Sequence, residues 1–161
     1  MGEAARGGDR GPVPVQAHGD RELWDDGPVS DQTPAAPESF YELVGGHDTF
    51  VRLVDAFYVG IADDEVLRPM YPEADLGPAK VRMTMFLEQY WGGPTTYSDQ
   101  RGHPRLRMRH APFKVNPDAR DRWLKHMRAA VDSLDLAPLH HATLWDYLDR
   151  AAHSLINTFD D

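Results

Sequence analysis

From Glu38 onward, apolar residues recur at three- and four-residue intervals, the spacing that lines one face of an α-helix. Ser39-Phe40-Tyr41-Glu42 fits a Ser-x-x-Glu capping box, and Gly45-Gly46 closes the short helix it starts. Asp48 is placed to cap a second helix, whose buried face carries Phe50, Leu53, Val54, Phe57, Tyr58 and Ile61. Asp63 and Asp64 cap a further turn, which Pro69 and Pro72 keep short. Gly77-Pro78 opens a third helix with Ala79, Met83, Phe86, Leu87 and Tyr90 on its face, and Gly92-Gly93-Pro94 stops it. Asn116-Pro117 pairs an N-cap with a first-turn proline; the helix that follows presents Arg120, Trp123, Met127, Ala130, Val131 and Leu134. Pro138 begins the last helix, with Leu144, Tyr147, Leu148, Ala151 and Leu155 inward. No segment alternates as a strand would, and no internal repeat is present. The expected class is all-α.

Residues 1–37 differ in kind. They hold five of the 13 prolines and six of the 13 glycines, carry a charge of −4, and contain few large apolar residues. Such a segment buries too little surface to offset its ordering entropy. It is expected to be a disordered acidic tail, with Trp24 read as incidental rather than as a docking point for a partner, leaving residues 38–161 as one domain.

Charge and composition narrow the function. A net charge of −9 argues against a general nucleic-acid binder, which needs a basic surface to displace counterions from phosphates. The absence of cysteine excludes disulfide scaffolds, Cys-ligated zinc, iron–sulfur clusters and covalent C-x-x-C-H haem attachment. No apolar run is long enough to cross a bilayer, and no secretory signal opens the chain. Met1-Gly2 is followed by Arg6 where a myristoylation motif needs Ser or Thr. A soluble, cytoplasmic protein is expected.

Residues 92–116 break the helical regularity. The stretch is long for a helix connection, where about two to eight residues are usual. It also inverts the charge of the chain: between Asp99 and Asp118 lie Arg101, Arg105, Arg107, Arg109 and Lys114, and no acid. Either a specific anionic ligand or a solvated loop balancing the acidic remainder explains it. Most of the eight histidines fall in turns, at helix starts or off the apolar faces, with His47 read as a turn residue. His110 sits among Met108, Arg109, Pro112 and Phe113, between apolar and cationic surroundings, and is read as either a structural histidine or a ligand. Tyr58, Tyr71, Tyr90 and Trp123 fall on or near inward faces, where hydroxyl and indole groups need partners. Together they suggest a polar pocket inside an apolar core; packing alone explains any one of them.

The run FLEQYWGGPTTYSDQRGHPRLRMRHAPF, from Phe86 to Phe113, resembles the truncated haemoglobins, in particular the group II (O-type) branch. SFYELVGG, Phe57-Tyr58, DEVLRPMYPE and DYLDRAAHSL support the resemblance, which covers residues 38–161. It implies a truncated globin fold, two antiparallel helix pairs sandwiching a non-covalent haem b. His110 matches the proximal iron ligand, and Arg82, Tyr97 and Arg109 match residues that hold the two propionates. Phe86, Leu87, Met108, Phe113 and Met127 are the expected apolar contacts with the porphyrin. Tyr58, Tyr71 and Trp123 match the distal polar trio. Ala79 stands where other globins keep a distal histidine, and Met83 where leucine is more usual.

The resemblance implies binding of dioxygen and other diatomic ligands. Two distal donors worth about 1–2 kcal/mol each slow ligand loss by about 30- to 1000-fold. The alternative is a nitric oxide dioxygenase or peroxidase-like enzyme. That activity needs a separate reductase, since the chain has no G-x-G-x-x-G fingerprint. Without the resemblance, the residues would fit an all-helical interaction module with a basic loop. A homo-oligomer is left open.

Overall fold

The computed structural model describes residues 38–161. The tail expected over residues 1–37, with Trp24, lies outside the described residues. Seven helices follow in order among the described residues: α1 (Phe40–Leu43), α2 (His47–Ala62), α3 (Gly77–Tyr90), α4 (Thr96–Arg101), α5 (Leu106–His110), α6 (Pro117–Ser133) and α7 (Pro138–Ser154). A single 3-10 turn, Arg68–Met70, lies between α2 and α3. No described helix is long and apolar enough to cross a membrane.

The helix starts follow local chemistry. Ser39 Oγ accepts from the Glu42 N–H at 3.3 Å, and Asn116 Oδ1 accepts from the Ala119 N–H at 2.9 Å, satisfying donors that the first turn leaves open. Pro78, Pro117 and Pro138 each occupy the first turn of a helix, where a missing N–H costs nothing. At α2 the expectation is corrected. Gly46, at φ +68°, is the N-cap, and Asp48 sits inside the first turn without a capping bond. His47 is likewise a helical residue, its Nδ1 2.5 Å from Glu88 Oε1.

Two helix pairs, α2 with α3 and α6 with α7, stack through the contact of α2 on α6. The inner face of α2 (Phe50, Leu53, Val54, Phe57, Ile61) meets Met127, Ala130 and Val131 of α6, with Leu144 and Leu148 of α7 completing the buried core. Gly60 permits the close crossing: a Cβ there would stand 2.2 Å from His126 Nδ1. The other nitrogen, Nε2, lies 2.7 Å from Asp64 Oδ2. Asp64 also accepts the Val66 and Leu67 N–H groups at 2.9 Å, so the expected cap after α2 is present. Burial works against this carboxylate's charge, yet His126, the two N–H groups and Arg122 outweigh it and hold its pKa at about 2.

Between α3 and α6 the long connection folds into α4 and α5 rather than irregular loop. Neither is long enough to be stable alone. Gln89 on α3 anchors α4 from both ends of its amide, donating to Ser98 Oγ at 2.6 Å and accepting from the Ser98 N–H at 2.9 Å.

Candidate functional site

Helices α2, α3, α6 and α7, with the α4–α5 segment, enclose a mainly apolar cavity of about 610 Å³. This lies within the range of small-molecule and cofactor sites. His110, the last residue of α5, contributes the sole imidazole of its wall among the described residues. Its Nδ1 lies 2.6 Å from the Leu106 carbonyl. A carbonyl only accepts, so in the neutral imidazole Nδ1 is the nitrogen that carries the proton and Nε2 the one with the lone pair.

That helix is fixed mainly by hydrogen bonds to main-chain groups. Arg109 donates to the carbonyls of Pro104 at 2.6 Å and Arg101 at 3.0 Å. Asn157, beyond the end of α7, donates to the carbonyls of His110 at 3.2 Å and Phe113 at 2.9 Å, and accepts from the Val115 N–H at 3.0 Å. Asn157 therefore holds both sides of the turn that follows His110. No sequence pattern announces it, because its partners lie more than 40 positions away.

Polar aromatics line the same space. Tyr58 and Tyr71 pack edge to face at 5.6 Å, their hydroxyls 3.5 Å apart, too long for a strong O–H···O bond. Burial raises both phenol pKa values, so both are proton-bearing donors at neutral pH. Trp123 joins them from α6, packed on Phe57 at 5.3 Å. Tyr147 on α7 stacks on Tyr90 at 3.9 Å and presents a buried hydroxyl with no hydrogen-bond partner among the described residues.

Cations also reach the cavity. Arg82 pairs with Glu73 at 3.0 Å, while Arg101 and Arg109 lie 5.9 and 5.8 Å from the Tyr97 ring centroid. Glu73's own backbone N–H and Arg82 lower its pKa, so this carboxyl is ionised at neutral pH.

The sequence-expected residues Tyr58, Tyr71, Ala79, Arg82, Met83, Phe86, Leu87, Tyr97, Arg109, His110, Phe113 and Trp123 all line this cavity. Two expected porphyrin contacts, Met108 and Met127, stand outside its lining. Met108 precedes His110 by two residues, about 200° around the helix, and is 57% exposed on the far side of α5. Met127 lies one turn past Trp123, about 6 Å further along α6, where it is fully buried in the core. Glu73, Tyr147 and Asn157 were not anticipated as site residues, and Arg101 was expected only as a member of the basic cluster. For Tyr147 the available signal was a polar aromatic on an inward face.

Among the described residues no group of three or more His, Asp or Glu side chains converges as a metal cage. One imidazole with a free Nε2 instead suits a metal that arrives with its other ligands, and a large apolar cavity bordered by guanidinium groups suits a flat organic carrier bearing carboxylates. The residues fit haem.

Comparison with known proteins agrees. The bacterial-like globin family profile matches residues 39–157. A thermostable haemoglobin from Thermobifida fusca is 58% identical, with a TM-score of 0.75 over 76% of this chain and 100% of that one. The group II truncated haemoglobin of Bacillus anthracis is 32% identical, with a TM-score of 0.74 over 78% and 96%. A truncated oxygen-avid haemoglobin from Bacillus subtilis is 35% identical, with a TM-score of 0.70 over 74% and 100%. With the fold, the cavity and these likenesses in agreement, the chain belongs to the bacterial-like globins, in the group II truncated haemoglobin branch, whose members bind haem and oxygen.

Proposed function

We propose that His110 ligates the iron of a non-covalent haem b and that Tyr58, Tyr71 and Trp123 retain dioxygen tightly beside it. The observation that carries this reading is the joint presence, in one apolar cavity, of an imidazole with its Nε2 lone pair free and of two proton-bearing phenols and an indole. When bound, haem supplies an iron that takes a diatomic ligand. The protein supplies the rest. Leu106 fixes the imidazole tautomer, as outer-shell carbonyls do for metal-bound histidines. With no cysteine in the chain, thioether attachment is impossible, which favours a non-covalent cofactor. Arg82, Arg109 and Tyr97 are placed to meet the two propionates, with Arg82 exchanging Glu73 for a cofactor carboxylate.

The long separation of the two tyrosyl hydroxyls leaves both donors available to a ligand. Ala79 adds no bulk and no imidazole to the wall, while the flexible thioether of Met83 narrows the space beside it. The Bacillus subtilis relative described as oxygen-avid is consistent with strong retention. Slow release suits sensing, scavenging or redox work better than bulk delivery. Because oxygen binding requires ferrous iron, the reading also includes a one-electron donor that restores that state.

Stopped-flow displacement of oxygen from the ferrous protein tests it. Trp123→Phe is expected to release oxygen about 5- to 30-fold faster, the loss of one donor worth about 1–2 kcal/mol. Unchanged off-rates in both Trp123→Phe and Tyr58→Phe would remove these donors from ligand retention.

A further inference from the structure

Resting on the reading that the cavity holds haem and retains dioxygen, we propose that Glu73 is the group through which protons enter that cavity. It thereby sets how long the oxygen-loaded protein lasts before its iron is oxidised.

Glu73 is the sole acid lining the cavity among the described residues. Its side chain is 33% exposed, yet Oε2 is buried and has no hydrogen-bond partner among the described residues. One residue thus reaches solvent and holds an unused acceptor in the wall. Buried polar atoms are nearly always partnered, so this oxygen points to something that enters the cavity, a water or a proton. The position is built. Arg68 donates to the carbonyls of Tyr71 at 3.2 Å, Glu73 at 3.0 Å and Ala74 at 2.9 Å, which fixes the turn that carries the carboxylate. Glu73 Oε1 accepts from Arg82 at 3.0 Å. Two residues earlier in the same turn stands Tyr71, its hydroxyl 3.5 Å from that of Tyr58. After burial, the negative charge of Glu73 is among the influences that raise the pKa of both phenols, an effect that requires proximity.

The other groups of the wall do not serve. Phenols and guanidinium groups keep their protons at neutral pH, and the lone pair of His110 is committed to iron in the proposed site. The charged and titratable groups facing Glu73 are Arg82 from α3, Arg68 from the 3-10 turn, Tyr71, and Tyr58 from α2. When Arg82 turns to a propionate, one influence that lowers the Glu73 pKa is lost, so the carboxyl takes a proton more readily. In the reaction served, one electron passes from ferrous iron to dioxygen, and one proton arrives by way of Glu73 and Tyr71. The iron–oxygen bond breaks, hydroperoxyl radical leaves and the iron is ferric. Tyr71 receives one proton as it passes one on, and dioxygen is the only oxidant.

The test uses the full-length haem-loaded protein in its oxygen form, with catalase and superoxide dismutase present. Decay to the ferric spectrum should quicken about tenfold per pH unit as pH falls from about 7 to about 5, following the protonated fraction of a carboxyl. Glu73→Gln cannot carry that proton; it should flatten the rise and slow decay at about pH 6 by about tenfold or more. Glu73→Asp should restore most of the rate. Deuterium oxide should slow decay of the parent protein, and Glu73→Gln should lose that isotope effect. Light-induced infrared difference spectra of the carbon monoxide form give a readout independent of oxidation. A carboxylate band should respond to departure of the ligand and vanish in Glu73→Gln. An unchanged pH dependence in Glu73→Gln would overturn the proposal, since water alone would then deliver the proton. A change in oxygen release matching the change in decay would also overturn it, by making Glu73 a source of electric field at the ligand. Failure of the wild-type protein to take up haem would instead remove the underlying reading.

Discussion

The scaffold of α2, α3, α6 and α7 and the segment of α4 and α5 hold their shapes by different means. In the scaffold, apolar stripes bury against each other, and one polar cluster, Asp64 with His126 and Arg122, ties α2 to α6. In the segment the buried apolar side chains are few. Its helices are held by Gln89, Arg109 and Asn157 through hydrogen bonds to main-chain and hydroxyl groups. Burial makes a frame that tolerates no slip, whereas hydrogen-bond tethers set the angle of one imidazole without enclosing it. The proposed ligand therefore rides on the less buried part of the molecule, against the wall of the more buried part.

The comparison breaks most visibly at the ligand. His110→Ala should lose nearly all haem uptake, read as the Soret band, while far-UV circular dichroism stays close to that of the parent protein. Retained haem with an unaltered ferrous spectrum would show that the segment does not supply the iron ligand. Loss of the helical signal would show that the scaffold depends on it.

A smaller effect is expected from the scaffold's polar tie. Asp64 is only 4% exposed at its side chain, and Asp64→Ala strands His126, while Arg122 keeps its pair with Asp118. Urea unfolding should show a loss of about 3 kcal/mol, the cost of breaking a buried pair. The pH dependence follows from the lowered pKa. Stability from Asp64 is fully present above its ordinary 3.8 and is lost as pH falls towards about 2. The variant should lack that component of acid unfolding; an unchanged acid limb would show that the cluster contributes nothing in the folded state.

The smallest effect sharpens the contrast. Asn157→Ala should cost about 1 kcal/mol or less globally, since its bonds are exposed. Hydrogen exchange should quicken over residues 106–115 and not in α2 or α6. A uniform increase would mean that the segment and the scaffold open as one unit.

The two regions were unequally legible. Period and caps marked α2, α3, α6 and α7, because a stripe of Phe50, Leu53, Val54, Phe57 and Ile61 has few folds other than a helix buried along that side. The cap of α2 was misplaced because Asp48 has the right chemistry, whereas Gly46 has the right conformation, φ +68°. Helices α4 and α5 gave no period, since one or two turns contain too few residues to show it. The resemblance implied Met108 as a porphyrin contact, but the turn of α5 carries it outward. Glu73 and Arg82 meet only once the turn after α2 folds back on α3.

The order of amino acids by itself determined the helical class, the capping sites other than that of α2, and the chemistry available: one chain without thiols, a cluster of arginines and several polar aromatics. These are local properties, set within a few residues by backbone sterics and side-chain type. Tertiary structure decided which of those side chains share a cavity, which nitrogen of His110 is free and which arginines face solvent. Such outcomes depend on distances between residues remote in the chain, and only packing determines them.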